Sequence, residues 1–148
     1  MTFDGSNEAT FILSKETGIG SLLGGRIWEM QVPEGVKLPE RPDKRGIKPY
    51  ATVHFGSTFP IAGTKTMADG AQGGAWMLPF QVYVYASNPE DLREACSIVQ
   101  HRLVGLQPNT VSGDEVTCNG GLAKPRKDTS AGAPRLVRPI FFQVVCRS

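Results

Sequence analysis

The stretch GGAWMLPFQVYVYASNPEDLREACSIVQHRL, from Gly73 to Leu103, predicts the two elements on which the fold depends. Its first half alternates between two faces, with Leu78, Phe80, Val82 and Val84 on one and Met77, Gln81, Tyr83 and Tyr85 on the other. This alternation is typical of a long β-strand with one buried face. Pro79 has no amide hydrogen to donate, so we expect it at a sheet edge or near the start of the strand.

The second half of the stretch predicts a capped amphipathic helix. Ser87 or Asn88 can cap its first turn, in which Pro89 is also favoured. Glu90 and Asp91 follow, and their negative charges favour the positive end of the helix dipole. Apolar residues then recur at helical spacing: Leu92, Ala95, Cys96, Val99, Leu103 and Leu106. We expect this stripe to pack on the more aliphatic face of the strand.

The rest of the chain predicts further strands and one weaker helix. The segments GGRIWEMQV and PYATVHFG precede the long strand, and GDEVTCNGG and RLVRPIFFQVVCR follow the helix. A looser helical pattern from Asn7 to Leu23 is interrupted by Gly18 and Gly20. The order predicts an α+β fold, with a mixed, largely antiparallel sheet of about five strands, one long amphipathic helix and a shorter N-terminal helix.

The 148 residues predict a single domain with long connections. Prolines, glycines and small polar residues interrupt the periodic segments, and we expect long loops at about residues 33–48, 56–74 and 120–135. In a compact domain, loops of this length are usually functional or disordered. The loops are therefore the first place to look for contacts with other molecules.

The basic residues are unevenly distributed although the formal net charge is only +2. Two clusters fall in or beside the predicted loops: Lys37, Arg41, Lys44, Arg45 and Lys48 in the first, and Lys124, Arg126, Lys127 and Arg135 in the second. A nearly neutral chain gives no general argument for nucleic-acid binding. Each cluster is interpreted either as a solvated loop or as a surface that faces phosphate or an acidic partner.

The second face of the long strand carries Met77, Tyr83 and Tyr85 and is amphipathic. Aromatic residues and methionine are enriched where proteins meet proteins. Two interpretations stay open for this face. It could form a second small core beneath the first helix, or it could form a subunit interface.

No reactive residues in the sequence have the spacing of a catalytic or metal site. The three cysteines, Cys96, Cys118 and Cys146, are widely separated and form no CxxC pair. The two histidines, His54 and His101, have no nucleophile at a spacing that predicts a catalytic pair. We therefore expect no enzyme activity, no catalytic residues, no cofactor and no bound metal.

The chain opens with the polar segment MTFDGSNEAT rather than with a charged and then apolar leader. No apolar run approaches the ~20 residues that a membrane span needs. We expect a soluble protein without membrane contact, made in a reducing compartment.

The segments LLGGRIWEMQVPEGVKLPERP and PYATVHFGS resemble the opening of tail terminator (tail completion) proteins of long-tailed bacteriophages. The residues that match the pattern are Gly25, Arg26, Ile27, Trp28, Pro33, Pro49 and Tyr50. LPFQVYVYASNPEDLREACSIVQHRLVGL is similar to the family's long strand, short capped turn and amphipathic helix. The resemblance covers Leu22 to Leu106 by pattern and the last two strands by element order. The N-terminal region departs from this resemblance. The family's first helix is longer and more regular, whereas Gly18 and Gly20 interrupt the helical pattern here.

The resemblance implies a virion protein that forms a ring, usually of six subunits, at the head-proximal end of the tail tube. Such a ring ends tube polymerisation and presents a surface for the head-tail connector or neck protein. The implied partners are other copies of the chain, the tail tube protein, the connector, and DNA that passes through the lumen without sequence-specific binding. The basic clusters, Met77, Tyr83 and Tyr85 become candidate interface or lumen-facing residues, and synthesis is expected in the bacterial host cytoplasm.

Two alternatives to a tail terminator stay open. The first is another neck or head-completion protein, which would also form a ring but on the portal side. The second is of a different class, a small enzyme or a nucleic-acid-binding accessory domain that uses Lys124, Arg126 and Lys127 to contact phosphate.

Overall fold

The computed structural model describes residues 23, 26–32, 34–35, 37–41, 46–57, 59–60, 75–105, 117–118, 125–128 and 135–147. Within them lie seven strands and one helix, in the order β1 (Ile27–Glu29), β2 (Tyr50–Phe55), β3 (Phe59–Pro60), β4 (Ala75–Ala86), α1 (Pro89–Leu103), β5 (Thr117–Cys118), β6 (Arg126–Asp128) and β7 (Arg135–Arg147). The predicted N-terminal helix lies outside the described residues.

The strands form one sheet built around the pairing of β4 with β7. These two strands run antiparallel and stay in register over twelve residue pairs, from Ala75↔Arg147 to Ala86↔Leu136. β2 and β3 both pair with the other edge of β4, and β5 and β6 both pair with the other edge of β7. β1 adds to β2 as the one parallel pair among the described strands. The α+β class and the mixed, largely antiparallel sheet are confirmed, with the seven described strands in five positions across it.

Helix α1 packs on one face of the sheet, as its apolar stripe predicts. Its buried residues are Leu92, Ala95, Cys96, Val99 and Leu103. They share one core with the predicted strand face of Leu78, Phe80, Val82 and Val84, and with Ile140, Phe142 and Val144 of β7. The rings of Phe80 and Phe142 stack with centroids 5.4 Å apart across the two central strands. Asn88 caps the helix by accepting a hydrogen bond from the Asp91 amide at 2.8 Å.

Pro79 corrects one prediction, because it lies inside a central strand rather than at a sheet edge or strand start. The Gly56 amide donates to the Pro79 carbonyl at 2.9 Å, so the backbone of Pro79 faces the edge shared by β2 and β3. At this point β2 has ended at Phe55 and β3 has not yet begun in register. The missing amide hydrogen of proline therefore removes no bond from either ladder.

The predicted loops also contain regular structure. Residues 37–41 and 46–48 fold back on each other, with a bridge between Glu40 and Ile47 and a bond from the Lys48 amide to the Pro39 carbonyl at 2.9 Å. We call residues 37–48 the strap, of which 42–45 lie outside the described residues. The loop predicted at 56–74 contains β3, and the loop predicted at 120–135 contains β6. Both strands are too short to produce a visible alternating pattern, so their pairing partners rather than their sequences define them.

The strap is fixed to the start of α1. The Ile47 amide donates to Ser87 Oγ at 2.8 Å, and Ser87 Oγ donates to the Ile47 carbonyl at 3.2 Å. Arg41 Nε lies 3.3 Å from Asp91 Oδ2 in an ion pair at the same end of the helix. Gly46 has φ +130°, and a Cβ atom at this position would overlap the Ser87 side chain. Residues distant in sequence thus hold the strap against the helix.

Replacing Gly46 by alanine should destabilise the protein, because the added Cβ atom pushes Ser87 away from Ile47 and the backbone is strained at positive φ. We expect a loss of about 2 kcal/mol in the free energy of unfolding, measured by urea denaturation. Gly35→Ala is the matched control, since Gly35 also has positive φ but has no atom within 4 Å of the position that its Cβ would take. Equal losses in the two variants would contradict the contact between the strap and Ser87.

Candidate interaction surface

The face of the sheet opposite α1, called here the second face, places aromatic side chains next to cationic ones among the described residues. Register places Tyr50 of β2 opposite Tyr85 of β4, Tyr85 opposite Val137 of β7, and Val137 opposite Arg126 of β6. These four side chains form one row across four strands. Trp28 of β1 extends the row, with its ring centroid 6.0 Å from that of Tyr50.

Tyr50 is the centre of a compact cluster on this face. Its ring stacks on that of Tyr85 with centroids 4.6 Å apart and an interplanar angle of 7°. Arg135 Nη1 donates a hydrogen bond to the Tyr50 hydroxyl at 2.7 Å, and the guanidinium carbon lies 5.6 Å from the centroid of the Tyr50 ring. Residues 85 positions apart are thereby joined across the central strands. Arg135 Nε is buried and has no hydrogen-bond partner among the described residues.

A shallow groove of about 250 Å³ lies beside this cluster. Its lining residues are Tyr83, Tyr85, Arg126, Lys127 and Val137. We call this set the basic groove. Arg126 is exposed on this face, whereas its exposed neighbour Lys127 pairs with Leu136, so the Lys127 side chain points to the α1 side of the sheet. The two tyrosines are half-buried and Val137 is buried. Apolar ring surface next to the exposed Arg126 guanidinium is a combination suited to binding a protein surface that carries carboxylates.

The structure brings together residues from two separate groups of predicted candidates. Tyr83 and Tyr85 of the strand face meet Arg126 and Lys127 of the second basic cluster in the basic groove. Lys124 of the same cluster lies outside the described residues. The sequence alone does not indicate that these tyrosines lie near the basic residues, because more than 40 residues separate them.

The other candidates are placed elsewhere. Met77 lies near the start of β4, eight residues from Tyr85, which is about 27 Å along an extended strand. Lys37 is exposed and Lys48 half-buried in the strap, and Arg41 is engaged with Asp91. Lys44 and Arg45 lie outside the described residues. The first basic cluster therefore does not join the basic groove through its described members.

Tyr50, Trp28 and Thr52 are members of the second face that sequence analysis did not nominate. The alternation of PYATVHFG places Tyr50, Thr52 and His54 on one side of β2, so this signal was available. Nothing in the sequence showed that β2 and β4 pair with these sides aligned. Tyr50 and Thr52 are 4% and 3% exposed, so this side of β2 is as buried as a core.

His54 occupies a partly buried position at the other end of β2. Its Nε2 atom lies 3.0 Å from Thr52 Oγ1 in a hydrogen bond, and its ring packs at 4.6 Å on that of Tyr83. Burial lowers the pKa of His54 below its ordinary value of 6.5. The neutral imidazole is therefore favoured in the folded protein.

The described residues fit neither the pattern of a metal site nor that of a membrane-spanning helix. No group of three or more His, Cys, Asp or Glu side chains among them is arranged to hold a metal ion. None of the helices that the structure describes is long and apolar enough to span a bilayer.

Comparison with known proteins gives a structural likeness without a sequence family. No family model matches the sequence, and no curated protein matches it. A solved chain from a structure described as "Virion of native gene transfer agent (GTA) particle" is similar, with a TM-score of 0.58 and 14% sequence identity. The alignment covers 97% of this chain and 94% of that one. At this identity the likeness shows that the two chains share a fold over nearly their whole lengths.

Replacing Tyr50 by phenylalanine should destabilise the protein by about 1–2 kcal/mol, because Arg135 Nη1 loses its acceptor in a half-buried site. The free energy of unfolding in urea measures this loss. Tyr83→Phe is the matched control, because it removes a hydroxyl group from the same face without removing the acceptor of Arg135. A loss in Tyr83→Phe as large as that in Tyr50→Phe would contradict the role of the Tyr50–Arg135 bond.

The lowered pKa of His54 predicts a loss of stability in mild acid. Because the pKa of His54 is lower in the folded chain, the unfolded chain binds the proton more readily at pH values just below 6.5. The free energy of unfolding is therefore at its full value above pH 6.5 and decreases as pH falls towards the folded-state pKa. The free energy of unfolding, measured by urea denaturation from about pH 7.5 to about pH 5, should decrease less with pH in His54→Gln than in the unchanged chain. His101→Gln, at an exposed position in α1, is the control and should keep the original slope.

Proposed function

We propose that this chain is a structural virion protein, a tail terminator that forms a ring at the head-proximal end of a phage-like tail tube. The ring, with six subunits as the sequence resemblance implies, ends tube polymerisation and provides the surface for head-tail joining. The observation that carries the proposal is the fold shared with a chain of the gene transfer agent virion over 97% of this chain. The sequence resemblance to tail terminators is independent of that structural likeness and points to the same class of particle.

The distribution of side chains supports a role based on surfaces. Subunits of a closed ring contact their neighbours through two different surfaces, because head-to-tail contacts are heterologous. The two sides of this sheet differ in this way. One side is covered by α1, and the other carries the tyrosines and Arg126 of the basic groove. Each side can therefore meet a different partner.

The placement of the arginines supports passage of DNA without tight binding. Arg41 is paired with Asp91, and Arg135 is engaged with Tyr50, so these two charges act within the subunit. A channel lined by many cations that contact phosphate would bind DNA strongly at low salt and would slow its passage. We propose that the basic groove faces protein and that DNA passes through the lumen without sequence-specific contacts.

Deleting the gene for this chain from the genome that encodes its particle tests the proposal. We expect tail tubes of abnormal length that fail to join heads, because nothing ends tube polymerisation or presents the connector surface. Electron microscopy of the particles measures both properties. Supplying the unchanged chain from a plasmid is the control and should restore tube length and joining.

Two other outcomes would overturn the proposal. Tubes of normal length that join heads normally in the deletion would exclude a tail terminator. Density for the chain on the portal side of the joint, in complete particles, would instead assign it to another neck or head-completion ring. Binding of duplex DNA that falls steeply with salt and with Arg126→Ala and Lys127→Ala would favour a nucleic-acid-binding domain.

A further inference from the structure

The exposed side of α1 carries charges that complement those of the basic groove. Glu90, Arg93 and Glu94 are all exposed, and their spacing places them side by side on the helix, away from its buried stripe. We call these three residues the helix surface. With two carboxylates and one guanidinium it has a net charge of −1 at neutral pH. Asp91, next to it, is already paired with Arg41.

The helix surface and the basic groove lie on opposite sides of the sheet. α1 packs on the side of Phe80 and Val82, whereas Tyr83 and Tyr85 of the groove belong to the other side of the same strand. One subunit therefore presents a negative surface on one side and a positive surface on the other. Head-to-tail contacts between identical subunits use two different surfaces of each subunit, and these two surfaces are complementary in charge.

We propose that the helix surface of one subunit docks in the basic groove of the next subunit, and that this contact closes the ring. Glu90 and Glu94 of one copy lie on either side of Arg126 of its neighbour, and the tyrosines of the groove supply the apolar contact area. Arg93 lies over the tyrosine rings, where a guanidinium is favoured. The inference rests on the proposed ring and names the surfaces that form it.

A second copy of the chain fits the groove better than DNA does. The exposed side chain of Arg126 is the cation that shares the second face with the tyrosine and valine side chains of the groove. Duplex DNA presents a regular array of phosphates and would leave the apolar surface of the groove poorly covered. A helix with two carboxylates one turn apart complements the positive charge of the groove.

Charge reversal on each surface tests this contact directly. The variant E90K/E94K makes both surfaces positive, and the variant R126E makes both negative. Each variant alone should fail to restore tube length in the deletion background, because identical charges then meet at every contact. Supplying both variants together should restore it, since subunits of the two kinds can alternate around the ring. A single chain with all three substitutions should also restore it.

Association in solution provides a second measurement that needs no particle. An equimolar mixture of the two purified variants should associate at least about tenfold more tightly than either variant alone, by analytical ultracentrifugation at low salt. Raising the salt concentration should weaken this association. Glu34→Lys, which reverses an exposed carboxylate outside both surfaces, is the control and should behave as the unchanged chain. Thermal unfolding of each variant verifies that it is folded.

The outcomes separate this inference from the proposed function. If the deletion disturbs tails and either folded reversal variant restores them by itself, the contact is wrong and the tail terminator stands. Failure of the mixture to associate or to restore tails would also overturn the contact. If the deletion leaves tails normal but the mixed variants associate, the contact stands and the proposed role in the tail falls.

Discussion

The rest of the structure depends on the antiparallel pairing of β4 with β7. Twelve registered residue pairs align the apolar sides of the two longest strands, so that Phe80 faces Phe142 and Val82 faces Ile140. This aligned surface is the platform on which α1 packs. Every other described strand joins the sheet directly or indirectly through the outer edges of this pair. A shift of one residue in the register would turn the apolar face of one strand to the side opposite that of its partner.

Two prolines lie where the outer edges of β4 and β7 change from one partner strand to the next. Pro79 lies where β2 ends and β3 begins along β4, and Pro139 lies between the parts of β7 that pair with β6 and with β5. Because proline has no amide hydrogen to donate, an outer strand that stops beside it gives up no hydrogen bond to that residue. This explains why short strands occur in parts of the chain where composition indicates only loops. It also places β6, with Arg126 and Lys127, beside Tyr85.

The chemistry of the molecule is concentrated on its surfaces, and its buried groups serve packing. Burial raises the pKa of the Cys96 thiol to about 11, although Arg138 opposes this shift, so the thiol is protonated at neutral pH and is part of the core. On the second face, Tyr50 and Arg135 join strands that are distant in sequence. The groove beside them offers ring surface and exposed cations, which suit recognition of a protein partner.

The sequence by itself determined the elements whose periodicity is long enough to stand out. The two long strands and the buried stripe of α1 could be predicted from it, because burial of one face imposes a visible periodicity. The sequence also limited the cap to Ser87 or Asn88, and the structure shows that Asn88 is the cap. The sequence could not determine β3, β6 or the attachment of the strap to Ser87. It also named Tyr85 and Arg126 separately and could not show that they line one groove. Only the tertiary structure decided these features, because strand register and long-range pairing depend on the packing of the whole sheet, which leaves no local pattern in short segments.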